Sequence, residues 1–302
     1  MPSFRKAADQ ADRIIRRSLA LRTARHTNRD DGKIHSRGTA RAYQQALTGA
    51  ANWLKVKANN QSLERMTAEQ AHQYLRERAE TVRQKTLDLD RQALQILPHV
   101  GKLERVKSRL DRSPLESGGR AYTPVQVQMV AAAQSERHAL ATEIARTGGL
   151  RGHELLTLRR ADEQPASTHR EWSGERFEGR PDSVRYTVSG KGGLVREVTL
   201  PGELAARLEA RRWEKPKTVT DRGIRYTQYY DLGGGLAWSK SFSAASKRAL
   251  GWSSGGHGLR HSYAQERLDE LQRDGHVYNS ALEIVSQEMG HFRADITEIY
   301  LR

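Results

Sequence analysis

The chain has 302 residues and a basic composition, with 51 Lys and Arg against 36 Asp and Glu and a formal net charge of +15. Its hydrophobic content of 36% is sufficient for folded cores, and its length predicts two domains. Because the sequence lacks cysteine, disulfides, zinc–thiolate sites, iron–sulfur clusters and thiol nucleophiles are excluded. No apolar run approaches the roughly 18 residues of a membrane span, and no signal peptide opens the chain, so we expect a cytoplasmic protein without a membrane partner.

The positive charge is concentrated in the first 120 residues, which hold 25 Lys and Arg against 13 Asp and Glu. Basic side chains that neutralise phosphates release condensed counterions, which gives an affinity for nucleic acid that depends little on base sequence. This part of the chain therefore indicates a DNA-binding domain, and the protein would be associated with the nucleoid. A solvated basic surface without a partner is the alternative interpretation.

Helices are predicted throughout residues 1–118. A basic helix is expected at 5–29, and the sequence from Thr67 to Gln70 has the pattern of a capping box. Further helices are expected at 39–56, 67–80 and 83–109.

A small, polar, turn-forming run at 113–119 separates two parts of the chain. It is followed by a helix start, with Thr123 and Gln126 in capping-box spacing around Pro124. We place the domain boundary here, giving domains at 1–118 and 119–302.

The second part is predicted to contain a hairpin among helices. A helix is expected at 124–146 and a polar loop at 162–183, before alternating strands at 184–188 and 194–200 with a glycine-rich turn at 190–193. Helices are then expected to start near residues 202, 239, 258, 279 and 295. The predicted fold class is mainly α with a small antiparallel β-sheet.

Several side chains of the second part suit a single chemistry. Two guanidiniums can hold the non-bridging oxygens of a phosphodiester, a tyrosine hydroxyl can attack the phosphorus, and lysine or histidine can protonate the leaving oxygen. Together they could transfer a phosphoryl group without a metal and keep the bond energy in a covalent intermediate. The residues are Arg151, Lys191, His257, Arg260, His261, His291 and Tyr300.

Two segments carry the arginines. Residues 147–155 contain Arg151 and, three positions later, Glu154, which would share a helical face and could hold Arg151 in place. Residues 257–261 read His-Gly-Leu-Arg-His, with both histidines and Arg260 on one helical face.

Three further features follow in order. Lys191 lies in the hairpin turn, residues 289–291 read Met-Gly-His, and Tyr300 follows His291 by nine positions. One continuous helix would place His291 and Tyr300 about 180° apart, so a break between them is expected, with a new start at Asp295.

As an ordered set spanning residues 147–302, these motifs resemble the tyrosine recombinases, the lambda-integrase family, in its phage-type integrases. The resemblance implies a helical, SAM-like core-binding domain and a catalytic domain that form a C-shaped clamp around double-stranded DNA. It implies integration or another site-specific recombination of a mobile element, by a homotetramer on paired sites, without a metal or other cofactor. Accessory proteins that bend DNA or set directionality are further expected partners.

The resemblance also implies a role for each residue. Tyr300 would form a 3′-phosphotyrosine, while Arg151 and Arg260 would clamp the phosphate. His257 would act as general base, Lys191 as general acid and His291 as a hydrogen-bond donor to the phosphate. Glu154 and His261 would hold these catalytic side chains in position.

The same residues also allow functions other than recombination. A type IB topoisomerase would use nearly the same side chains as a monomer, and a DNA-binding regulator could retain a silent site. The spacing of His257 and His261 also suits zinc, although Arg260 on the same face would repel a dication.

Two departures from the family pattern affect the assignments. Forty residues separate Arg151 from Lys191, which predicts an insertion at 161–183 and leaves other lysines as candidates for the general acid. The sequence ends two residues after Tyr300, so we expect subunits to meet through contacts other than a tail. The other candidate lysines are Lys215, Lys217, Lys240 and Lys247.

Overall fold

The computed structural model describes residues 6–21, 32–110 and 119–302. The chain divides into two compact units, Met1–Ser117 and Gly118–Arg302. The first unit has one hydrophobic core and the second has two clusters of buried side chains. The roles predicted for the two parts, DNA binding and catalysis, stay predictions at this point.

The described residues of the first unit are helical around a leucine-rich core. The helix at Arg37–Lys57, α2, buries Leu47, Ala50, Ala51 and Leu54, whose spacing places them on one face. The capping box predicted at Thr67 is present, since its side chain accepts from the Gln70 N–H and the Gln70 side chain accepts in return. The helices are α1 (Ala7–Ser18), α2 (Arg37–Lys57), α3 (Ala68–Ala79) and α4 (Gln84–Leu94), with a 3₁₀ turn at Leu63–Arg65.

Two predicted helices of this unit are shorter than expected. The helix predicted at 5–29 ends at Ser18, and residues 22–31 lie outside the described residues. The helix predicted at 83–109 is wrong beyond Leu94. Pro98 cannot donate a helical hydrogen bond and Gly101 has a φ of +64°, so the chain leaves the helix there.

The chain after Leu94 is held by side chains instead of helical backbone bonds. The Gln95 side chain accepts from the Leu103 N–H at 2.9 Å, and Arg91 donates to the Leu103 carbonyl at 3.0 Å. These bonds replace the backbone partners that a helix would have supplied.

The second unit begins with two helices where one was predicted. The capping box at Thr123 starts α5 (Pro124–Ala132), and α6 (Glu136–Thr147) follows after a break. Ser135 has an extended backbone at the start of α6, and Gln134 accepts a hydrogen bond from Thr142 at 2.6 Å. The helix thus breaks at 133–135 inside an otherwise helical pattern, and Ser135 starts α6 without a side-chain cap bond.

A three-stranded antiparallel sheet contains the predicted hairpin. Its strands are β1 (Arg159–Arg160), β2 (Ser183–Ser189) and β3 (Val195–Pro201), in that order. The turn between β2 and β3 includes a 3₁₀ segment, Lys191–Gly193, whose two glycines have positive φ. The hairpin and the irregular chain at 162–182 were both predicted correctly.

A second antiparallel sheet was missed by the sequence analysis. Strands β4 (Arg212–Asp221) and β5 (Ile224–Tyr230) form a two-stranded ribbon. Both residues of its turn, Arg222 and Gly223, have positive φ, as a tight hairpin turn requires. Most of β4 is exposed and its sequence lacks the apolar alternation that predicts a strand, whereas β5 alternates, with Ile224, Tyr226 and Tyr230 on one face.

The remaining helices frame the predicted motifs. Residues 289–293 separate the helix at Tyr278–Glu288 from the helix at Ala294–Glu298, which confirms the predicted break between His291 and Tyr300. Within the described ranges, no helix is both long and apolar enough to cross a membrane. The helices are α7 (Gly202–Glu209), α8 (Gly235–Leu250), α9 (Gly258–Arg273), α10 (Tyr278–Glu288) and α11 (Ala294–Glu298), with a final 3₁₀ turn at Ile299–Leu301.

Candidate active site

Four segments of the second unit converge on one cluster of side chains. The turn after α6 supplies Arg151, the start of α9 supplies Arg260 and two histidines, the turn after α10 supplies His291, and the last 3₁₀ turn supplies Tyr300. Each of these side chains therefore stands at the end of a helix or in a turn beside one, where packed helices hold the backbone.

Arg260 is the buried cation of the cluster, with no exposed surface. Its guanidinium donates to the carbonyl of Gly149, to the carbonyl of Met289 at 3.2 Å and to Nε2 of His291 at 2.9 Å. Burial and the positive charge of Arg151 lower the pKa of Arg260 to about 10. The side chain therefore remains charged at neutral pH.

Arg151 is fixed by Glu154, which is completely buried. The carboxylate accepts from the Arg151 N–H at 2.9 Å and from its guanidinium at 2.7 Å. The two residues were expected on one helical face, but Glu154 opens a 3₁₀ turn and Arg151 precedes it. Burial raises the pKa of Glu154, but the charges of Arg196, Arg151 and Arg260 outweigh it, so the pKa lies well below its usual value.

His291 is a neutral imidazole between two partners. Because the Arg260 guanidinium can only donate, His291 Nε2 accepts, and the proton is assigned to Nδ1, which lies 3.2 Å from the Thr297 hydroxyl. Burial, followed by the charges of Arg260 and Arg151, lowers the pKa of His291 to about 3. The donor role implied for His291 at a phosphate would require this bond with Arg260 to change.

The Tyr300 ring is packed among three imidazoles and is 9% exposed. Its centroid lies 5.0 Å from that of His291, 4.8 Å from that of His261 and 5.4 Å from that of His257. The guanidinium carbon of Arg260 lies 5.5 Å from the same centroid. Because Arg260 is completely buried beneath these rings, a phosphate could reach it only after the Tyr300 or His291 side chain shifts.

The two histidines of α9 have different positions. His261 is buried and donates through Nδ1 to the Tyr300 carbonyl at 3.1 Å, so it holds the backbone of the last turn. His257 is exposed immediately before α9, and its ring is tilted by 55° to that of Tyr300. Partial burial of the ring and the charges of Arg260 and Arg120 lower the pKa of His257 below its usual value, so it is neutral and can accept a proton.

Lys191 is the predicted site residue that the structure leaves outside the cluster. It is exposed in the β2–β3 turn. The preceding residue lies closer, since a Cβ added to Gly190 would stand 3.4 Å from Glu154 Oε1. The base of the hairpin therefore packs on the site while its tip, with Lys191, extends into solvent.

Arg196 is a residue of the cluster that the sequence analysis missed. It lies in β3, is 1% exposed and donates to Glu154 Oε2 at 2.8 Å. Arg196, Val198 and Leu200 alternate along one buried face of the strand. A charged residue at a position that alternation predicts to be buried was the sequence signal that could have identified Arg196.

The described residues also bear on the metal alternative. Across 6–21, 32–110 and 119–302, no group of three or more His, Asp or Glu side chains could hold a metal ion. The rings of His257 and His261 meet edge to face with their centroids 5.9 Å apart.

Comparison of the sequence with protein-family models and with curated proteins finds no match. Solved structures do match. XerH site-specific recombinase bound to palindromic difH substrate, in a post-cleavage complex, aligns with 100% of this chain and 94% of its own, with a TM-score of 0.58 and 15% identity. The XerH pre-cleavage complex gives the same coverage, a TM-score of 0.57 and 16% identity.

A lambda integrase dimer bound to a COC′ core site covers 97% of this chain and 76% of its own, with a TM-score of 0.55 and 14% identity. The chain thus has the tyrosine recombinase fold, and its helical units with small antiparallel sheets match the fold class predicted from sequence. At this level of identity the similarity concerns the fold, and the chemistry has to be argued from the site.

Proposed function

We propose that the protein is a site-specific DNA recombinase that cuts and rejoins strands through a phosphotyrosine intermediate. The observation that carries this proposal is the position of Tyr300, whose ring lies 5.0 Å from His291 and 5.5 Å from the Arg260 guanidinium. A nucleophile, two neutral imidazoles and two arginines from separate segments meet at one point. The structural neighbours, which are recombinases or integrases bound to DNA, support the same function.

In this proposal the Tyr300 hydroxyl oxygen attacks the phosphorus of one phosphodiester. A bond forms between Tyr300 and the 3′-phosphate, the bond to the 5′ oxygen breaks, and the energy of the ester is kept for religation. His257, which is neutral, takes the tyrosine proton. Attack by the 5′ hydroxyl of another strand reverses the step and yields the recombined strand.

The two arginines stabilise the charge on the phosphate in this step. Arg260 carries a full charge in a buried setting, and Arg151 has 24% of its side chain exposed and is aimed by Glu154. Arg151 is already fixed by Glu154 and needs no reorganisation for this, whereas Arg260 becomes available to the phosphate once the Tyr300 or His291 side chain shifts. Lys191 would then protonate the leaving 5′ oxygen, which requires the exposed hairpin tip to approach the DNA.

The remaining parts of the proposal concern assembly. The basic first unit would bind the duplex beside the cleaved phosphate, and four subunits would act on two paired sites through a Holliday junction. Accessory proteins that bend DNA or set directionality would act with this assembly.

Covalent trapping tests the chemistry. The protein is incubated in EDTA with a target duplex, selected by binding from a randomised pool and nicked downstream of the scissile phosphate, so that cleavage releases a short fragment with a free 5′ hydroxyl and religation is prevented. We expect a protein–DNA band on a denaturing gel that is lost in Tyr300→Phe and kept in Tyr278→Phe, a control at a tyrosine that is 43% exposed. Tight binding without a covalent band would instead favour a silent DNA-binding regulator.

A second measurement separates recombination from topoisomerase activity. A recombinase should exchange strands between two copies of the selected site and sediment as a tetramer with both duplexes. Relaxation of supercoiled DNA by a monomer, without exchange between sites, would favour the type IB topoisomerase alternative.

A further inference from the structure

Arg196 and Arg260 lie side by side and link the same two turns. Both guanidiniums donate to the carbonyl of Gly149, in the turn after α6, with the Arg196 bond at 3.2 Å. At the turn after α10, Arg196 donates to the carbonyl of Glu288 at 2.5 Å and Arg260 to that of the next residue, Met289, at 3.2 Å. Arg196 thus makes a second bridge between the two turns that Arg260 links.

Arg196 also reaches the second arginine of the site through Glu154. One carboxylate oxygen of Glu154 accepts from the Arg151 guanidinium at 2.7 Å and the other from Arg196 at 2.8 Å. The side chains of Glu154 and Arg196 are 0% and 1% exposed, so solvent screens little of their attraction. Without Arg196, the carboxylate could turn and carry Arg151 with it.

The end of α10 that Arg196 holds is anchored from its other side as well. The buried Glu288 carboxylate accepts from the Tyr263 hydroxyl at 2.7 Å, from Arg267 Nε at 3.1 Å and from the Phe177 N–H at 2.9 Å. A fixed Glu288 gives its carbonyl a fixed position for Arg196, and the next residues carry Met289 O and His291 Nε2, which bind Arg260. The turn after α10 is therefore held rigid around the site.

We propose that Arg196 is a positioning residue that sets the two phosphate-binding arginines, Arg151 through Glu154 and Arg260 through the carbonyls of the two turns. This inference rests on the proposed function. Arg196 itself is too deeply buried to touch DNA, and its two terminal nitrogens are engaged by three acceptors of the protein.

The planar fork of arginine matters for this role. Two nitrogens of one rigid plane reach Glu154 and two carbonyls on different segments, whereas lysine would present one nitrogen. Arg196→Lys would keep the charge beside Glu154 but lose the bridge between turns. Arg196→Met would keep most of the side-chain volume but lose both the charge beside Glu154 and the bridge between the turns.

The test measures cleavage rates on the nicked duplex with two kinds of scissile linkage. One is the natural phosphodiester, and the other is a methylphosphonate, in which a methyl group replaces one non-bridging oxygen so that the linkage is uncharged. An uncharged linkage needs less stabilisation from guanidiniums, so a variant that misplaces the arginines should recover on it. Arg151→Ala is the reference, and Arg146→Met is the control, at an arginine paired with Glu266 and 24% exposed.

At saturating DNA, we expect Arg196→Met to cleave the phosphodiester about 10- to 100-fold more slowly than the wild type, and Arg196→Lys to fall between them. On the methylphosphonate, the deficits of Arg196→Met and Arg151→Ala should both shrink, and Arg146→Met should match the wild type throughout. An equal deficit of Arg196→Met on both linkages would show a merely structural role and overturn the proposal, as would a wild-type rate.

A binding measurement separates this inference from the proposed function. Wild-type protein should bind a nicked duplex with a 3′-phosphate at the nick more tightly than one with a 3′-hydroxyl, and Arg196→Met should lose that preference. If the wild type shows the preference without cleaving DNA, the recombinase proposal fails while the positioning role stands. If the preference is absent from the wild type or survives in Arg196→Met, the positioning role is overturned.

Discussion

Arg260 donates a hydrogen bond to Nε2 of His291 across 2.9 Å, and this single contact decides the state of the imidazole. Because a guanidinium offers no lone pair, His291 must accept and is therefore neutral, with its proton on the side of Thr297. A second positive charge at this position would face both Arg260 and Arg151. The positive charges of the site therefore lie on its arginines, and its histidines are neutral.

The neutral state of His291 predicts a dependence of stability on pH. The pKa of His291 is about 3 in the folded chain, below the ordinary histidine value near 6.5, so only the unfolded chain takes up this proton as the pH falls below about 6.5. The contribution of His291 is full above that pH and is lost progressively toward pH 3. The expected slope for one proton is about 1.4 kcal/mol per pH unit.

His291→Gln should remove this part of the slope, because its amide oxygen can accept from Arg260 but cannot titrate. Denaturant unfolding at pH 7 and pH 5 should therefore show a smaller loss of stability in the variant than in the wild type. His169→Gln, at an exposed histidine, controls for the change of residue type. Equal losses in the wild type and His291→Gln would contradict the neutral assignment.

Glu154→Gln should destabilise the second unit strongly. Glu154 is the anionic partner of Arg196 and Arg151, and its removal leaves the buried charge of Arg196 without compensation. The cost of breaking such a buried pair is about 3–5 kcal/mol. Unfolding in urea, followed by tryptophan fluorescence, measures it.

Glu266→Gln is the matched control, since Glu266 pairs with Arg146 but is 44% exposed. The expected loss there is about 1 kcal/mol or less. Similar losses in both variants would mean that the arginine cluster does not depend on Glu154.

The motif residues could be predicted from the sequence because their order and spacing are visible in it. The break between His291 and Tyr300 followed from helix geometry together with the expectation that both side chains face one phosphate, and the alternating strands with the glycine-rich turn at 190–193 indicated the hairpin. The β4–β5 ribbon was missed because β4 is mostly exposed and shows no apolar period, although the alternation of Ile224, Tyr226 and Tyr230 in β5 was a signal.

The residues behind the site could not be found in the same way. Glu288 is a charged side chain that a sequence pattern assigns to the surface, and the alternation of Arg196 with Val198 and Leu200 indicates burial without showing its partners. Only the folded chain shows the partners that allow both side chains to be buried. Likewise, the contact of Glu154 with Arg151 was anticipated, but the 3₁₀ turn that creates it was not, because one turn of either helix has the same short spacing.

Glu288 should also hold the chain segment around Phe177. The Glu288 carboxylate accepts from the Phe177 N–H at 2.9 Å, and the neighbouring Gln287 accepts from the Ser173 N–H at 2.7 Å. Glu288→Leu removes the first bond and leaves Arg267 without its buried partner. Loss of about 1–2 kcal/mol of local stability should raise the rate of tryptic cleavage after Arg176 about 5- to 30-fold.

Glu283→Leu makes the same change at an exposed position of α10 and should leave the cleavage rate unaltered. Mass spectrometry of early digestion products identifies the cleaved bond. If the two variants are cut equally fast after Arg176, the segment is held by contacts other than Glu288.

Lys191 is the assignment with the least support from geometry, since its side chain is exposed and outside the cluster. As general acid, it would protonate the 5′ oxygen as the P–O bond breaks. A substrate with sulfur in place of that bridging oxygen does not need this proton, because a thiolate is a far better leaving group. Lys191→Ala should therefore cleave the natural linkage about 100-fold more slowly than the wild type but the sulfur-bridged linkage at nearly the wild-type rate.

The same pair of substrates distinguishes Lys191 from the other lysines of the second unit. The comparison is made with alanine variants of Lys215, Lys217, Lys240 and Lys247. The cleavage rate of each variant relative to the wild type should be the same on the oxygen-bridged and the sulfur-bridged substrate, even where the variant weakens DNA binding. The exposed position of Lys191 makes its approach dependent on the DNA, so the deficit of Lys191→Ala should persist at saturating duplex. Rescue by sulfur in one of the other variants, and not in Lys191→Ala, would move the general acid to that residue and leave the β2–β3 turn with a role in binding alone.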